Sequence, residues 1–372
     1  MYTNIDLSTA KTVQQDFLKG YQGSPIKLYQ DLQGSNLSLS DKLEELDPSE
    51  LDEQGKPKHL DALQRQLVVN EIQLTGPKAV TIEQLAIPAN MVLMPELVLR
   101  EIIAGMGMAS RSDYRKLVAT RNVITGAKYH PIYIPNQNLT DKVGRAAKTL
   151  AKRASVGQGA EFPKLTFRYR EKDITVKDYG RALAVTYKVI KNMPWEEFRI
   201  ILHLIGVQLV ADMIFDIYDL GINGDGTVGA ATNTFSGTAG TLTYQDLVDN
   251  YVSFDEAFSM NALLCPQTSL ETILVLPQFQ DPQAGFEFQR TGKMVTPIGG
   301  ELFQIYTTAG GVPAAKVIVT LDRRFAVRET NSQVLMVEAD KIINQKFEEA
   351  VISQETVFSI LADGALSRIV WT

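Results

Sequence analysis

The residues of this chain most able to do chemistry are three histidines and one cysteine, and their spacing does not bring them together. His59, His130 and His203 are far apart, without the His-x-x-x-His spacing or the cysteine pair that zinc sites use. Cys265 lies between leucines and a proline, which is typical of a buried small hydrophobic residue. We therefore predict no metal site and no intrachain disulfide, and we expect a carboxylate or a neighbouring subunit to satisfy His203.

Two segments imitate ligand-binding motifs without completing them. The Gly-Lys pair at 292–293 suggests a phosphate loop, but Glu287 occupies the required upstream glycine position. The stretch 219–225 is rich in side-chain oxygen, yet the twelfth position of a calcium loop counted from its start is Ala230. The sequence thus predicts a protein that is not an enzyme and has no cofactor.

Composition and charge indicate a soluble globular protein. The 372 residues are 45% hydrophobic and 22% charged, with a net charge of −6. No secretory signal is expected, because the first ten residues carry Asp6 and no apolar run follows. The best candidate for a membrane span, 200–218, is interrupted by polar residues about once per turn, so we reject a span.

Charge is segregated along the chain. Eight acids accompany three lysines between Asp41 and Asp61, and ten basic residues accompany two acids between Arg111 and Arg153. Such blocks can contact each other, contact other copies, face phosphate, or remain solvated. Because the basic block has no local acidic complement, we predict that part of it makes intersubunit contacts. The residues concerned are Lys142, Arg145, Lys148, Lys152 and Arg153.

The strongest structural signal is a long apolar helix from Trp195 to about Leu220. Pro194 precedes it and Gly221 follows, which are ordinary start and stop signals. At 1.5 Å per residue it is roughly 37 Å long. Apolar residues at helical spacing predict another helix within 91–108.

The two ends of the long helix are expected to bury different faces. At 100° per residue, Arg199 and His203 lie on one side, and the acids of the second half lie nearly opposite. At the midpoint, 205–209, we predict that both faces are at least partly buried. Gly206 is expected to permit close approach by another element.

Other segments predict strands and extensions. Residues 131–176 are an excursion of two extended limbs joined by a basic tip, with a basic helix at 141–153. Residues 240–330 alternate short apolar runs with turn signals, as in an α/β or α+β domain with a small sheet. The tail 332–361 is β-rich, with a possible helical piece at 341–350. Residues 1–78 are predicted to be a helical arm or appendage without a core domain.

Several segments, taken in order, resemble the major capsid proteins of tailed bacteriophages. The long helix that closes on Asn223-Gly224-Asp225-Gly226-Thr227 resembles their backbone helix and the turn after it. Residues 176–194 resemble the strand before that helix. Residues 265–270 resemble a strand that ends in a proline turn before an axial-domain helix, and 327–330 with the tail resemble the return of the chain. The resemblance covers roughly residues 79–372, and it rests on the order of the segments.

The resemblance implies the Hong Kong phage coat fold, an α+β fold with an N-terminal helical arm, an extended loop, a peripheral domain with a spine helix, and an axial domain. The implied boundaries are 1–78 for the arm, 79–130 for the start of the peripheral domain, 131–176 for the extended loop, 177–239 for the peripheral domain with the spine helix, 240–330 for the axial domain, and 331–372 for the peripheral return.

The implied function is a structural major capsid protein. It assembles with itself as hexamers and pentamers into an icosahedral head shell that encloses phage double-stranded DNA, which it contacts non-specifically. Portal, scaffolding or decoration proteins are the implied partners. The implied location is the virion, after assembly in the bacterial cytoplasm. An encapsulin-type nanocompartment shell is the alternative, and an unrecognised soluble α/β enzyme is a remote one.

Two maturation reactions of the family bear on this chain. Some members lose an N-terminal segment, whereas residues 1–78 are expected to be retained here. Some members cross-link a lysine of the extended loop to an asparagine of the peripheral domain. The corresponding pair would be Lys164 and Asn331, but the sequence offers no assignable catalytic glutamate, so we do not expect this reaction.

Overall fold

The computed structural model divides the chain into two compact units, which are described separately. The first comprises Met1–Met108, Asp178–Val207 and Gln333–Glu355, and the second comprises Ala109–Lys177, Gln208–Ser332 and Thr356–Thr372. The structure describes residues 7–371 apart from 22–24, 35–36, 75, 77–78, 86–89, 91, 110–112, 134–137, 141–145, 149–167, 170–172, 187–192, 227–230, 232, 238–239, 255–257, 278–299, 309 and 343–346.

The N-terminal part of the first unit is a set of short helices. Two of them begin at capping boxes headed by Ser38 and Asp61, which satisfy backbone N–H groups at the helix start. Leu43 and Leu63 on their inner faces are exposed by 1% or less. The predicted helical appendage therefore contains buried apolar residues and belongs to a larger unit, which the sequence did not indicate. The helices are α1 (Ser8–Val13), α2 (Lys19–Tyr21), α3 (Pro25–Gly34), α4 (Leu39–Leu46), α5 (Ala62–Val69) and α6 (Ile82–Leu85).

Two longer helices follow. Helix α7 spans Met94–Met108 and helix α8 spans Trp195–Asn223, so both predicted helices are confirmed. With 29 residues, α8 is about 43 Å long. Its residues up to Val207 are assigned to the first unit and those from Gln208 to the second.

The described strands form two larger sheets and three two-stranded ribbons. One larger sheet has the order β1-β13-β14-β8 and the other β11-β10-β12-β15-β9, which confirms the predicted α+β class. The strands are β1 (Val118–Val123), β2 (Lys128–Tyr129), β3 (Ile132–Tyr133), β4 (Asn138–Thr140), β5 (Ala146–Lys148), β6 (Arg168–Tyr169), β7 (Ile174–Thr175), β8 (Lys177–Thr186), β9 (Asn233–Ser236), β10 (Ala262–Pro266), β11 (Glu301–Ile305), β12 (Val317–Leu321), β13 (Val327–Ile342), β14 (Phe347–Ile360) and β15 (Leu366–Val370).

The five-stranded sheet forms the core of the second unit. Leu263, Ile318 and Ile369 from three of its strands belong to one buried cluster. Leu247 of helix α9 (Tyr244–Ser253) and Leu270 of helix α10 (Gln267–Val275) belong to the same cluster. The two helices therefore cover the same face of the sheet, and their apolar stripes supply its core.

The second half of α8 covers the opposite face. Successive strand residues point to opposite faces, so Val319 lies on the face that Ile318 does not. A Cβ atom added to Gly221 of α8 would come 2.5 Å from a methyl carbon of Val319, and the Arg368 guanidinium donates to the carbonyl of Ile222 at 3.0 Å. The sheet is thus buried on both faces, and a side chain at position 221 would collide with it.

The turn after α8 contains Gly224, Asp225 and Gly226, as the sequence predicts. Gly224 and Gly226 have φ angles of 76° and 80°, which favour glycine. The Gly224 N–H donates to the carbonyl of Leu220 at 2.9 Å and closes the helix. The Asp225 carboxylate accepts the Ile360 N–H at 3.1 Å, so this acid fastens the turn to strand β14.

One prediction about the tail needs correction. Residues 341–342 and 347–350 lie in strands β13 and β14, so the helical piece predicted at 341–350 is wrong there. Residues 366–370 lie in the five-stranded sheet between β12 and β9. In both cases pairing with strands distant in sequence decides the structure, and local patterns do not reveal it.

The predicted excursion is a ribbon of paired strands. Lys128 pairs with Thr175, Ile132 with Tyr169, and Asn138–Thr140 with Ala146–Lys148, all antiparallel. At its base, Ile174 and Val176 pack with Val357 in a small buried cluster. Extended limbs are confirmed at the described residues, but Ala146–Lys148 is a strand, so the helix predicted over 141–153 is wrong at those three residues.

A buried carboxylate fastens the end of β12 to the adjoining chain. Asp322 is wholly buried and accepts the Ser259 N–H at 2.9 Å and the Asn261 amide at 3.0 Å. The Arg324 guanidinium donates to it as well, at 2.8 Å. Burial by itself would raise the pKa of Asp322, but the hydrogen bonds from Arg324 and Ser259 outweigh that effect and hold it below the ordinary value.

We expect Asp322→Asn to lower the melting temperature at pH 7 by on the order of 2–5 °C. The folded-state pKa lies below the unfolded value, so the carboxylate stabilises the fold above about pH 4 and this contribution is lost as the pH falls through the folded pKa. Thermal unfolding at a series of pH values should show the difference from wild type shrinking at acid pH. The exposed Asp178→Asn is the control, and a pH-independent difference for Asp322→Asn would contradict the account.

Candidate functional site

The residues considered for chemistry lie in separate places with ordinary partners. Cys265 is fully buried, which confirms its predicted role as a small core residue, and burial raises the pKa of its thiol. His130 contacts Asp173 at 2.7 Å, and His203 contacts Glu101 at 2.7 Å. Within the described residues, no group of three His, Cys, Asp or Glu side chains could hold a metal ion.

The basic segment predicted to make intersubunit contacts lies mostly outside the described residues. Of its five members only Lys148 is described, in strand β5, where it pairs with Asn138. Lys142, Arg145, Lys152 and Arg153 fall in the undescribed segments 141–145 and 149–167. Their role therefore stays a prediction.

The acidic block serves the packing of the first unit. The Asp47 carboxylate accepts from Arg65 at 2.8 Å, and both residues are buried. Asp61 accepts from Arg100 at 2.6 Å and also caps α5. The Glu44 carboxylate accepts the N–H groups of Ser49 and Ala62. These acids are engaged within the chain, which leaves them less available to a basic block on another copy.

Helices α7 and α8 cross at two glycines. A Cβ atom added to Gly206 would lie 2.3 Å from the carbonyl oxygen of Ile102 and 2.7 Å from the amide nitrogen of Met106. One added to Gly105 would lie 2.4 Å from the carbonyl oxygen of His203. Neither position can accept a side chain without moving helical backbone, so the crossing requires glycine on both helices.

A charged cluster borders this crossing. One oxygen of the Glu101 carboxylate accepts from Arg199 at 2.8 Å and lies 2.7 Å from Nε2 of His203. Glu101 belongs to α7, and its two partners lie one turn apart on α8. The expectation that a carboxylate satisfies His203 is confirmed, and that carboxylate belongs to the same chain. Glu101 fixes the rotation of one helix against the other beside the glycine contact.

The first half of α8 is buried on one side only. Leu202 and Gly206 are buried, and Gly206 lies against α7, whereas Ile200 and Leu204 are 60% and 59% exposed. At the midpoint Val207 is 37% exposed. Ile205 and Leu209 are half-buried, so 205–209 is partly covered beyond the face at Gly206, as predicted, and less so than that face.

By length and composition, α8 is also a helix that could cross a membrane. Its second half, however, includes Ile214, Ile217 and Tyr218, which are buried to 2% exposure or less. The Tyr218 hydroxyl donates to the carbonyls of Ala314 and Val317. These contacts are those of a core helix in a folded domain.

Asn331 lies beside a carboxylate that the sequence analysis did not assign. Its amide donates to Oε1 of Glu329 at 3.0 Å, and the other Glu329 oxygen pairs with Arg121 at 2.9 Å. Glu329 is 2% exposed. The Glu329 carboxylate of β13 is thus paired with Arg121 of β1, and this ion pair links the two strands. Lys164, the other member of the pair considered for cross-linking, lies outside the described residues.

No protein-family model matches the sequence, and no curated protein matches it. Several solved structures are similar at low identity. A virus-like particle from Pyrococcus furiosus has a TM-score of 0.46 and 9% identity, covering 74% of this chain and 99% of that chain. The Microbacterium phage Oxtober96 structure has a TM-score of 0.47 and 11% identity, covering 69% and 90%. The SrpI encapsulin complex from Synechococcus elongatus PCC 7942 has a TM-score of 0.41 and 12% identity, covering 68% and 84%.

We expect Gly206→Ala to destabilise the protein by on the order of 1–3 kcal/mol, because its Cβ would overlap the backbone of α7. Alanine otherwise favours a helix over glycine by about 1 kcal/mol, so the sign is diagnostic. Gly107→Ala on α7 is the matched control, since a Cβ there would meet no atom within 4 Å. Chemical denaturation measures both variants. Equal or raised stability for Gly206→Ala would contradict the close crossing.

Proposed function

We propose that this chain is the structural subunit of a closed protein shell with the Hong Kong phage coat fold, and that the shell is the head of a tailed phage. The support is an ordered set of elements. The long helix α8 ends in a two-glycine turn, a buried strand ending at Pro266 leads directly into helix α10, and a strand ribbon precedes α8 in the chain. This is the order that the sequence resemblance implies.

The observation that carries the proposal is a set of strand pairs within residues 128–175, which we call the ribbon. Its described strand pairs, β2 with β7, β3 with β6 and β4 with β5, are two-stranded. Of the residues whose burial is described, Ile174 and Val176 at its base join a buried cluster. An isolated two-stranded ribbon is marginally stable in water, and a third strand or a packed face is needed to hold it. A neighbouring subunit supplies that surface.

Repetition of one such contact produces an assembly of many copies. A ribbon on one copy that packs on a different surface of the next makes a heterologous contact, which closes into rings when the rotation permits. Hexameric and pentameric rings of this kind tile a closed shell. In this proposal the subunit carries no catalytic site, and its function lies in its contacts with other copies.

The contents of the shell distinguish the two shell functions. A phage head encloses double-stranded DNA and works with portal, scaffolding or decoration proteins, whereas a nanocompartment encloses protein cargo. We favour the phage head because the segments of residues 79–372 resemble those of phage coat proteins in their order. The test uses particles isolated from the native source and treated with nuclease. Protected DNA indicates a phage head, and co-purified cargo protein indicates a nanocompartment.

We expect the purified full-length chain to form particles far larger than a monomer, because the ribbon needs a neighbour to cover it. Size-exclusion chromatography with light scattering gives the mass, and negative-stain electron microscopy shows whether the particles are closed. A well-folded monomer that persists at high concentration would overturn the proposed function.

We expect the double reversal Arg145→Glu with Lys148→Glu to lower the yield of particles at least tenfold while the subunit stays folded, because intersubunit contacts lose their charge complement. Reversal of the exposed Lys11 and Lys27 to Glu matches the charge change outside the basic block. Circular dichroism reports folding and sedimentation reports assembly. Normal particle yield from the double reversal would make the basic segment a solvated surface.

A further inference from the structure

The end of α8 carries a pair of residues with a chemistry of its own. Asn223-Gly224 is the only Asn-Gly pair in the 372 residues. In such a pair the backbone nitrogen of the glycine can attack the side-chain amide of the asparagine, because glycine has no Cβ atom to hinder the approach. Asn223 is exposed, so water reaches its side chain. Asparagine is among the thermally labile residues of proteins for reasons of this kind.

The reaction balances with water as the only co-reactant. The nitrogen of Gly224 forms a bond to Cγ of Asn223, the bond from Cγ to Nδ2 breaks, and the amide group leaves as ammonia with the proton of the Gly224 N–H. Water then opens the five-membered imide at one of its two carbonyl groups. The product at position 223 is aspartate or isoaspartate, and either one carries a negative charge at neutral pH where asparagine carried none.

Two hydrogen bonds hold the reacting groups back. The Gly224 N–H donates to the carbonyl of Leu220 at 2.9 Å, which keeps the proton on the nitrogen that must lose it. The Nδ2 amide of Asn223 donates to the Asp219 carboxylate at 2.6 Å, one turn back along α8, and this draws the side chain away from the residue that follows it. Both bonds depend on a closed last turn, and helix ends open locally more often than a whole domain unfolds.

We propose that Asn223 is the residue at which this chain deamidates, and that the closed turn with its bond to Asp219 sets the rate. The new charge falls four residues after Asp219 and at the C-terminal end of a helix, where negative charge is unfavourable. Asp225 fastens the same turn to strand β14 through the Ile360 N–H at 3.1 Å. Deamidation therefore weakens the closure that delays it and loosens the attachment of α8 to β14. This chemistry needs only a single copy of the chain.

The consequence of the charge is tested with two variants. Asn223→Asp carries the charge of the product, and Asn223→Gln is the uncharged control. We expect the melting temperature of Asn223→Asp to lie about 1–3 °C below that of Asn223→Gln at low salt. The difference should shrink at high salt, because ions screen charges at an exposed helix end. Equal melting temperatures at low salt would overturn the loosening of the turn.

The rate is tested by incubating the full-length chain at mildly alkaline pH and digesting samples over time. Mass spectrometry of the peptide that holds residue 223 detects the exchange of an amide for a carboxyl group, whereas isomerisation of Asp225 leaves the mass unchanged. We expect the folded wild type to convert about tenfold more slowly than the chain in denaturant, where the turn is absent. Folded Asp219→Ala should convert about threefold faster than folded wild type, because the bond to a charged acceptor is lost.

The matched control is Asp249→Ala, which removes the same kind of bond, from Gln245 at 2.7 Å, on helix α9. It should convert at the wild-type rate. Asp219→Asn, which keeps the shape and loses the charge, should convert at a rate between those of wild type and Asp219→Ala. Circular dichroism checks that each variant folds, and in denaturant all of the chains should convert at one rate.

Three results would overturn the proposal. Folded wild type that converts as fast as the denatured chain would show that the turn gives no protection. Folded Asp219→Ala and Asp219→Asn that convert no faster than wild type would remove the role of the carboxylate. Conversion that accumulates first at another asparagine, such as Asn331 before Ser332, would move the site elsewhere.

Discussion

Two helix backbones meet at Gly105 and Gly206 with no room for a side chain at either position. Such close approach brings peptide groups into contact and excludes water, so it fixes the distance between α7 and α8. The Glu101 carboxylate, shared by Arg199 and His203, then fixes their rotation. The first unit depends on this crossing, because it determines which side of α8 is covered and which is left open.

Helix α8 therefore has two different surroundings along its length. Its second half is buried by the five-stranded sheet, where Gly221 lies against Val319. Its first half has α7 on one side, while Ile200 and Leu204 face outward. Among the described residues, the apolar side chains of the second half are mostly buried, whereas those of the first half are divided between buried positions, such as Leu202, and exposed ones.

Ion pairs within the chain use charges from both the acidic and the basic block. In the first unit, Asp47 and Asp61 meet Arg65 and Arg100 within the same helical body. Removing either acid would leave the charge of its arginine partner without a counter-ion. Within the described part of the basic block, Arg121 likewise pairs with buried Glu329 at 2.9 Å, so ion pairs inside the chain also join strands β1 and β13.

The sequence predicted the elements that local patterns control. The helices at 94–108 and 195–223 follow from apolar periodicity and from proline and glycine at their ends, and the turn at 223–226 follows from its two glycines. The predicted close approach at Gly206 was a local inference too, since an isolated glycine in an apolar helix suggests one. The identity of the approaching helix was not available from the pattern.

Only the tertiary structure decided the features that join distant residues. Residues 366–370 enter the five-stranded sheet, and 347–350 become strand, because partners remote in sequence offer backbone hydrogen bonds. The sequence likewise could not assign Glu101 to His203, or show that α7 covers one side of α8 and leaves Val207 exposed. The spacing of apolar residues predicts a helix and its apolar face. Whether that face is buried, and by which element, depends on tertiary packing.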